Sequence, residues 1–378
     1  MKVYVDNGAS TKVDGKVLKA MEPYFTEKYG NASSLHDFGR DALEGLEKAR
    51  TIIAKKINAS AGEIIFTSGG TESDNMAVIG AAYANKNKNH IITSAIEHPA
   101  ILNTCQELEK RGFDVTYLSV DEGGFVDPKD VESAITDKTA LVTIMHANNE
   151  TGVIEPIEEI GKICREKGVL FHTDTVQSFT KVDINVKKMN IDMASFSSHK
   201  IHGPKGVGAL YVRTGVKIKK LMYGGKHEFN LRPGTENVAG AIGFAEAVKQ
   251  MKDSNVKHVT ELRDKLIEGV FDSIERVKLN GPRENRLCNN VNFSYLGLEG
   301  ETISTYLSMK GVATSTGSAC ASASLEPSHV LIAMGMKHED AHGSIRMTLS
   351  KFTTEEEIEY ILKVLPDIIK KSRRISPL

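Results

Sequence analysis

Apolar residues along this chain fall into short dense runs, separated by longer stretches in which they recur every three or four positions. The runs "EIIFTS" (63–68), "HIITS" (90–94), "VTYLSV" (115–120), "ALVTIM" (140–145), "GVLFHT" (168–173), "MASFSS" (193–198) and "GALYVR" (208–213) predict strands. Between several of them lie amphipathic stretches such as "ESDNMAVIGAAYANK" and "PIEEIGKICREKG", which predict helices. Strand and helix in alternation build βαβ units, hence an α/β fold around a mostly parallel sheet covered on both faces. Ligands of such sheets sit beyond the carboxyl ends of the strands, so the residues just after each apolar run are where chemistry is sought.

Past residue 252 the rhythm changes. A long amphipathic stretch, "VKHVTELRDKLIEGVFDSIERV", leads to strand-like "NNVNFSYL", then to the small-residue loop "STGSACASAS" (315–324), then to "GSIRMTLS" and a terminal helix. This predicts a large domain over 15–252 and a smaller α+β domain made of 1–14 and 253–378.

The 378 residues suffice for both, and 40% hydrophobic with 26% charged residues is an ordinary globular mix. A formal net charge of -1 gives no basic field for nucleic acid. The first ten residues carry no signal-type apolar run, and no apolar run is long enough to cross a bilayer. The four cysteines, Cys105, Cys164, Cys288 and Cys320, form no CxxC pair, which argues against a zinc ribbon and for a reducing, cytoplasmic setting.

Four segments carry candidate chemistry. Lys200, in "SSHKIHGPKG", follows a strand; it is either a solvated lysine or a partly desolvated amine able to hold a carbonyl cofactor as a Schiff base. Asp174, in "FHTDTVQ", caps the next helix or supplies the carboxylate that keeps a pyridine nitrogen protonated, with Gln177 in reach of the ring's phenolic oxygen. "TSGGTESDN" (67–75) is an ordinary helix start or an anion site, where glycines admit a phosphate to free N–H groups; it lacks a Walker lysine. Ser197 and His199 are further phosphate donors, and His98 in "AIEHPA" is either a loop residue or a stacking, proton-carrying ring. Cys164 and Cys105 sit at helical spacing with apolar neighbours, Cys288 fits either reading, and Cys320 has no apolar periodicity around it.

Together and in this order, these segments resemble the pyridoxal-phosphate cysteine desulfurases of the NifS/IscS type, within the class V aminotransferase group. The likeness runs through "VYVDNGAST", "GNASSLHDFG", "TSGGTESDN", "EHPA", "HANNETG", "HTDTVQS", "SSHKIHGPKGVGALY", "RPGTENV", "STGSACASASLEPSHV" and "FTTEEEIEY". It departs at Gly70, where alanine or cysteine is frequent, and at Pro233, where serine or alanine is frequent. The resemblance implies the aspartate-aminotransferase-like fold type I with a seven-stranded sheet, and pyridoxal 5'-phosphate as cofactor. It makes Lys200 the cofactor lysine, pairs Asp174 with the pyridine nitrogen and Gln177 with the phenolic oxygen, and stacks His98 on the ring. Gly70, Thr71, Ser197 and His199 would take the phosphate, with Thr235 reaching in from the second subunit of a homodimer. Asn149 would approach cofactor or substrate, and Arg346 would clamp the carboxylate of L-cysteine.

On the same resemblance, Cys320 is the nucleophile that takes the substrate's sulfur as a persulfide, leaving alanine. Its thiolate needs access, and its small-residue loop would carry the sulfur to an iron–sulfur scaffold protein. No resident metal is implied, though Cys320 could share a nascent cluster with an acceptor's ligands. Selenocysteine lyase and aminotransferase chemistry are the rivals on the same fold. A zinc hydrolase built on "HEDAH" (338–342), which matches H-E-x-x-H, is the remote one, since Gly343 ends the motif at once.

Overall fold

A computed structural model describes residues 1–85, 87–316 and 326–375. The chain enters through β1 (Val3–Tyr4) and then builds a sheet from β2 (Ile64–Thr67), β3 (His90–Ser94), β4 (Asp114–Leu118), β5 (Thr139–Thr143), β6 (Leu170–Asp174), β7 (Met193–Ser197) and β8 (Gly208–Val212). Their spatial order is β2-β8-β7-β6-β5-β3-β4. β8 alone runs antiparallel to its neighbours, β2 and β7; the other pairings are parallel. Strands β2, β3, β5, β7 and β8 are buried at every position, as expected where helices cover both faces of a sheet.

The covering helices bury their apolar stripes in two layers. Helix 37–56 contributes Leu46, Ile53 and Ala54 to one, with Phe171, Phe179 and Phe244; helix 70–82 contributes Met76 and Val78 to the other, with Ile101 and Cys105. Cys164 packs in the first layer from helix 157–167, which Gly168 closes with φ 66, a left-handed position suited to glycine.

A second core lies beyond. β9 (Val277–Leu279), β10 (Asn290–Tyr295) and β12 (Ser344–Thr348) form an antiparallel sheet in the order β12-β10-β9. Helices 253–273 and 355–375 pack near it, supplying Leu266, Val270, Ile361 and Leu365. Val3 and Val5 belong to this core too, because β1 pairs in parallel with β11 (Val312–Ala313). The start of the chain is thereby stitched to its far end: Asn7 N–H donates to the Thr348 carbonyl at 3.2 Å, and Asp6 pairs with Arg346 at 3.2 Å.

The segment after β5 is gripped from this second core. Asn290 and Asn292 donate side-chain amides to the Glu150 carbonyl at 3.1 and 3.0 Å, and Arg286 donates to the Thr151 carbonyl. This clasp holds Asn149 where the two cores meet.

Candidate active site

The carboxyl ends of β2, β3, β5, β6 and β7 converge on a cavity of about 390 Å³. Lys200 stands on its wall, three residues past the end of β7. Its ammonium donates to the main-chain carbonyls of Gly8 and Ala9, the latter at 3.0 Å. The Gly8 carbonyl also accepts from Gln177 Nε2 at 3.0 Å. The entering segment of the chain thus orients two of the candidate cofactor residues at once.

Asp174 ends β6 and turns into the cavity, where its Oδ1 accepts the Val176 N–H at 2.8 Å. Burial pushes its carboxyl up to about 6, while that N–H and the Lys200 charge hold it down. The Val176 N–H and the Lys200 charge both favour its ionised form, the form that pairs with a protonated ring nitrogen.

His98 caps helix 99–110, whose first residue is Pro99, and its Nδ1 accepts the Ala100 N–H at 3.1 Å. That bond leaves the ring proton on Nε2 in the neutral form. Burial, and then the charge of Lys200, lower His98 to about 4, so it is neutral at pH 7.

Gly70 and Thr71 open helix 70–82, whose first N–H groups have no intrahelical acceptor. Both border the cavity together with Ser197 and His199. The His199 imidazole, held near Ser10 Oγ at 3.3 Å, is lowered to about 4 by burial and by Lys200. Opposite, Arg346 reaches in from β12, 2% exposed, donating from Nη1 to the Asn149 carbonyl at 2.9 Å and from Nη2 to Asp6 at 3.2 Å. Its Nε is buried and has no hydrogen bond among the described residues.

This donor set fits pyridoxal phosphate: a helix start with hydroxyls for the phosphate, a carboxylate for the ring nitrogen, an imidazole, and an amine for the carbonyl carbon. Of the described residues expected from the sequence, only Thr235 stands apart from this assembly. Thr235 is exposed and does not border the cavity, and Cys320 lies outside the described residues. Cys105, Cys164 and Cys288 are buried and unpaired, and burial pushes the thiols of Cys105 and Cys164 up to about 12, against any nucleophilic role. "HEDAH" forms a five-residue helix with both histidines exposed, and no group of three or more metal-ligating side chains occurs among the described residues.

Sequence reasoning missed several neighbours. Gly8 and Ala9 act through backbone carbonyls, which no side-chain motif announces. Asp74 and His329 border the cavity as well; Asp74 was hidden inside an ordinary helix start, and His329 follows the cysteine loop with no strand to flag it.

A mostly parallel sheet with a lysine, a carboxylate and a helix start meeting at its carboxyl edge defines a pyridoxal-phosphate enzyme of fold type I. Residues 3–361 match the aminotransferase class-V family. The chain belongs to that family and, within it, to the cysteine desulfurases. It is 54% identical to a cysteine desulfurase IscS of Clostridium botulinum (strain Hall), over all of this chain and 96% of that protein. It is 50% identical to the one of Methanosarcina thermophila, over all of this chain and 94% of that protein. A solved NifS-like protein superposes with a TM-score of 0.92 at 40% identity, covering 98% of this chain and all of that one. The structure of SspA in complex with cysteine matches with a TM-score of 0.84 at 38% identity, covering 93% of this chain and all of that one.

Proposed function

We propose that this cavity removes the sulfur of L-cysteine and that Cys320 receives it. The observation that carries the reading is the convergence of Lys200, Asp174, His98 and Arg346 on one cavity. Bound pyridoxal phosphate supplies an electron sink for the charge left when the substrate's Cα–H bond breaks. Lys200 would anchor the cofactor through its amine, and the same amine would move the substrate's Cα proton. Asp174 holds the ring nitrogen's proton, and Gln177 orients the phenolic oxygen. Gly70, Thr71, Ser197 and His199 bind the phosphate. Arg346 binds the substrate carboxylate through its guanidinium, with Asn149 beside it.

In the sulfur step, the Cys320 thiolate attacks the substrate's sulfur. An S–S bond forms, the C–S bond breaks, and its electron pair stays on carbon, which takes up a proton and leaves as alanine. His98 is the proton carrier. Because its Nδ1 caps a helix, accepting a proton there means releasing the Ala100 N–H.

Further parts of the reading rest on the family likeness. The persulfide passes to an iron–sulfur scaffold protein, as the name of the IscS relatives suggests. The enzyme is a homodimer in which Thr235 completes the partner's phosphate site, and the exposure of Thr235 is compatible with that. The chain divides into bodies 15–252 and 1–14 with 253–378. No helix of the described residues is long and apolar enough to cross a membrane, and the unpaired buried thiols suit the reducing cytoplasm.

The test is an absorbance spectrum of the purified protein, followed by alanine and sulfide assays after adding L-cysteine and a reductant. Wild type is expected to show the cofactor band and to yield both products. Cys320→Ala is expected to keep the band and lose sulfide release. A protein that takes up no pyridoxal phosphate overturns the Lys200 assignment, and full sulfide release by Cys320→Ala overturns the role of the thiol.

A further inference from the structure

Three acidic residues, not one, border the cavity: Asp174, Asp74 and Glu150, the last of which accepts the Ser328 hydroxyl. Asp174 comes from the end of β6, and Asp74 from the helix 70–82 that packs on β6 and β7. Asp74 is 1% exposed, and its Oδ1 has no hydrogen bond among the described residues. Its nearest charged-type neighbour is His172, whose Nε2 lies 3.8 Å from that oxygen. His172 offers no cation, because its ring is fully buried between Thr143 Oγ1 at 2.8 Å and Ser195 Oγ at 2.9 Å, and burial lowers it to about 3. Among the described residues, the Ser195 hydroxyl is the one group that favours an ionised Asp74, and its Oγ is shared with His172 Nε2 at 2.9 Å.

Among the described residues, the other titratable groups that act on Asp74 work against its charge. Asp174 faces it across the cavity, and Glu97, buried after β3, adds a further carboxyl. Lys200 and His98 border the same cavity, but Lys200 donates to Gly8 and Ala9 and His98 is neutral. An ionised Asp74 would be a buried charge with an unpaired oxygen, next to a second charge of like sign. Burial first, then the Asp174 charge, push its carboxyl well up. Asp174 differs in having a backbone N–H donor on Oδ1 and the field of Lys200.

We propose that Asp74 is a positioning residue that keeps its proton, so that the buried acid pair carries one negative charge and that charge sits on Asp174, facing the cofactor's ring nitrogen. This rests on the reading of Asp174 given above. A neutral Asp74 keeps the single carboxylate from being shared out over two sites, which fixes the ring-nitrogen proton at one place.

The direct test is infrared spectroscopy of the holoenzyme at neutral pH, where a protonated carboxylic acid shows a C=O stretch well separated from ionised carboxylates. The wild-type-minus-Asp74→Asn difference spectrum is expected to contain that acid band. Aspartate-specific carbon-13 labelling of the wild type is expected to shift an acid band, which separates Asp74 from Glu97 and Glu155 without any mutation. Asp74→Asn, a neutral mimic, is further expected to keep the cofactor's absorbance maximum and its pH profile near neutrality, whereas Asp174→Asn changes them. Absence of a label-sensitive acid band, or an Asp74→Asn spectrum displaced as in Asp174→Asn, overturns the proposal. If Asp174→Asn leaves the cofactor spectrum untouched while the acid band is present, it is the reading of Asp174 that fails, and the protonation of Asp74 stands.

Discussion

Val176 lies so close to Gly70 that a Cβ placed on Gly70 would come within 2.8 Å of its Cγ2. Val176 is β-branched and stiff, so it cannot swing aside as a longer chain would. This gives a physical reason for a glycine at a position where the resemblance leads one to expect alanine or cysteine. Gly70→Ala is expected to displace the start of helix 70–82 and weaken cofactor binding, read as a raised dissociation constant in a fluorescence titration of the apoenzyme. Gly70→Ala combined with Val176→Ala is expected to restore it. Equal affinity of wild type and the single variant would show that the contact is relieved at no cost.

Arg346 is pinned by Asp6 and by the Asn149 carbonyl, which aims its planar fork. Arg346→Lys keeps the charge but loses the fork, and Arg346→Gln loses both. A charge-assisted hydrogen bond is worth about 1.5–3 kcal/mol, so Arg346→Gln is expected to raise KM for L-cysteine by about 10- to 100-fold. Steady-state alanine formation would measure this, with kcat changing less than KM if the residue binds substrate and transition state alike.

His98 carries two separable roles. Asparagine is a good helix cap but no proton carrier, so His98→Asn is expected to match wild type in denaturation midpoint while losing about 10²–10⁴ in kcat. His98→Ala loses the cap as well, at about 1 kcal/mol. Because the imidazole sits near 4, no activity limb near pH 6.5 is expected from it; such a limb that vanishes in His98→Asn would contradict the assignment.

Glu155, buried at 3% exposure, accepts the Val126 N–H through Oε2 while its Oε1 has no hydrogen bond among the described residues. Burial, helped by Asp121, pushes it up to about 8. The sign follows from proton counting. Between the ordinary carboxyl range and about 8 the folded protein keeps a proton that the unfolded chain has lost, so this group's contribution falls as pH rises through that window. The slope is about 1.4 kcal/mol per pH unit. Glu155→Gln cannot titrate, so its stability relative to wild type is expected to increase from pH 5 to pH 8 in paired urea denaturations. A constant difference across that range would contradict the buried neutral acid.

Much of the large sheet was legible, because buried parallel strands leave dense β-branched runs; the predicted 90–94 strand, for instance, is observed as β3 at His90–Ser94. The reversed direction of β8 was not legible, since an apolar run looks the same whichever way it points. Lys200 and Asp174 could be placed at strand ends because strand periodicity fixes where a strand stops. Asp6, Gly8 and Ala9 could not. Their partners Arg346, Thr348 and Lys200 lie 191 to 340 positions away, and local patterning carries no record of such closures. Asp74 was obscured for a different reason: an acidic residue early in a helix is ordinary, and only the packing of β6 and β7 beneath it removes its counter-charges.

The stitching of residues 3–8 to β11 and β12 has a consequence for the order of events during synthesis. The carbonyls that receive the Lys200 amine precede it by 191 and 192 positions, yet their position is fixed by Thr348, to whose Oγ1 the Gly8 N–H is bonded at 2.5 Å. A nascent chain can form most of the large sheet and still lack a seated lysine until residue 348 has emerged. A chain broken off before residue 348 therefore leaves its amine without the aim that these bonds supply.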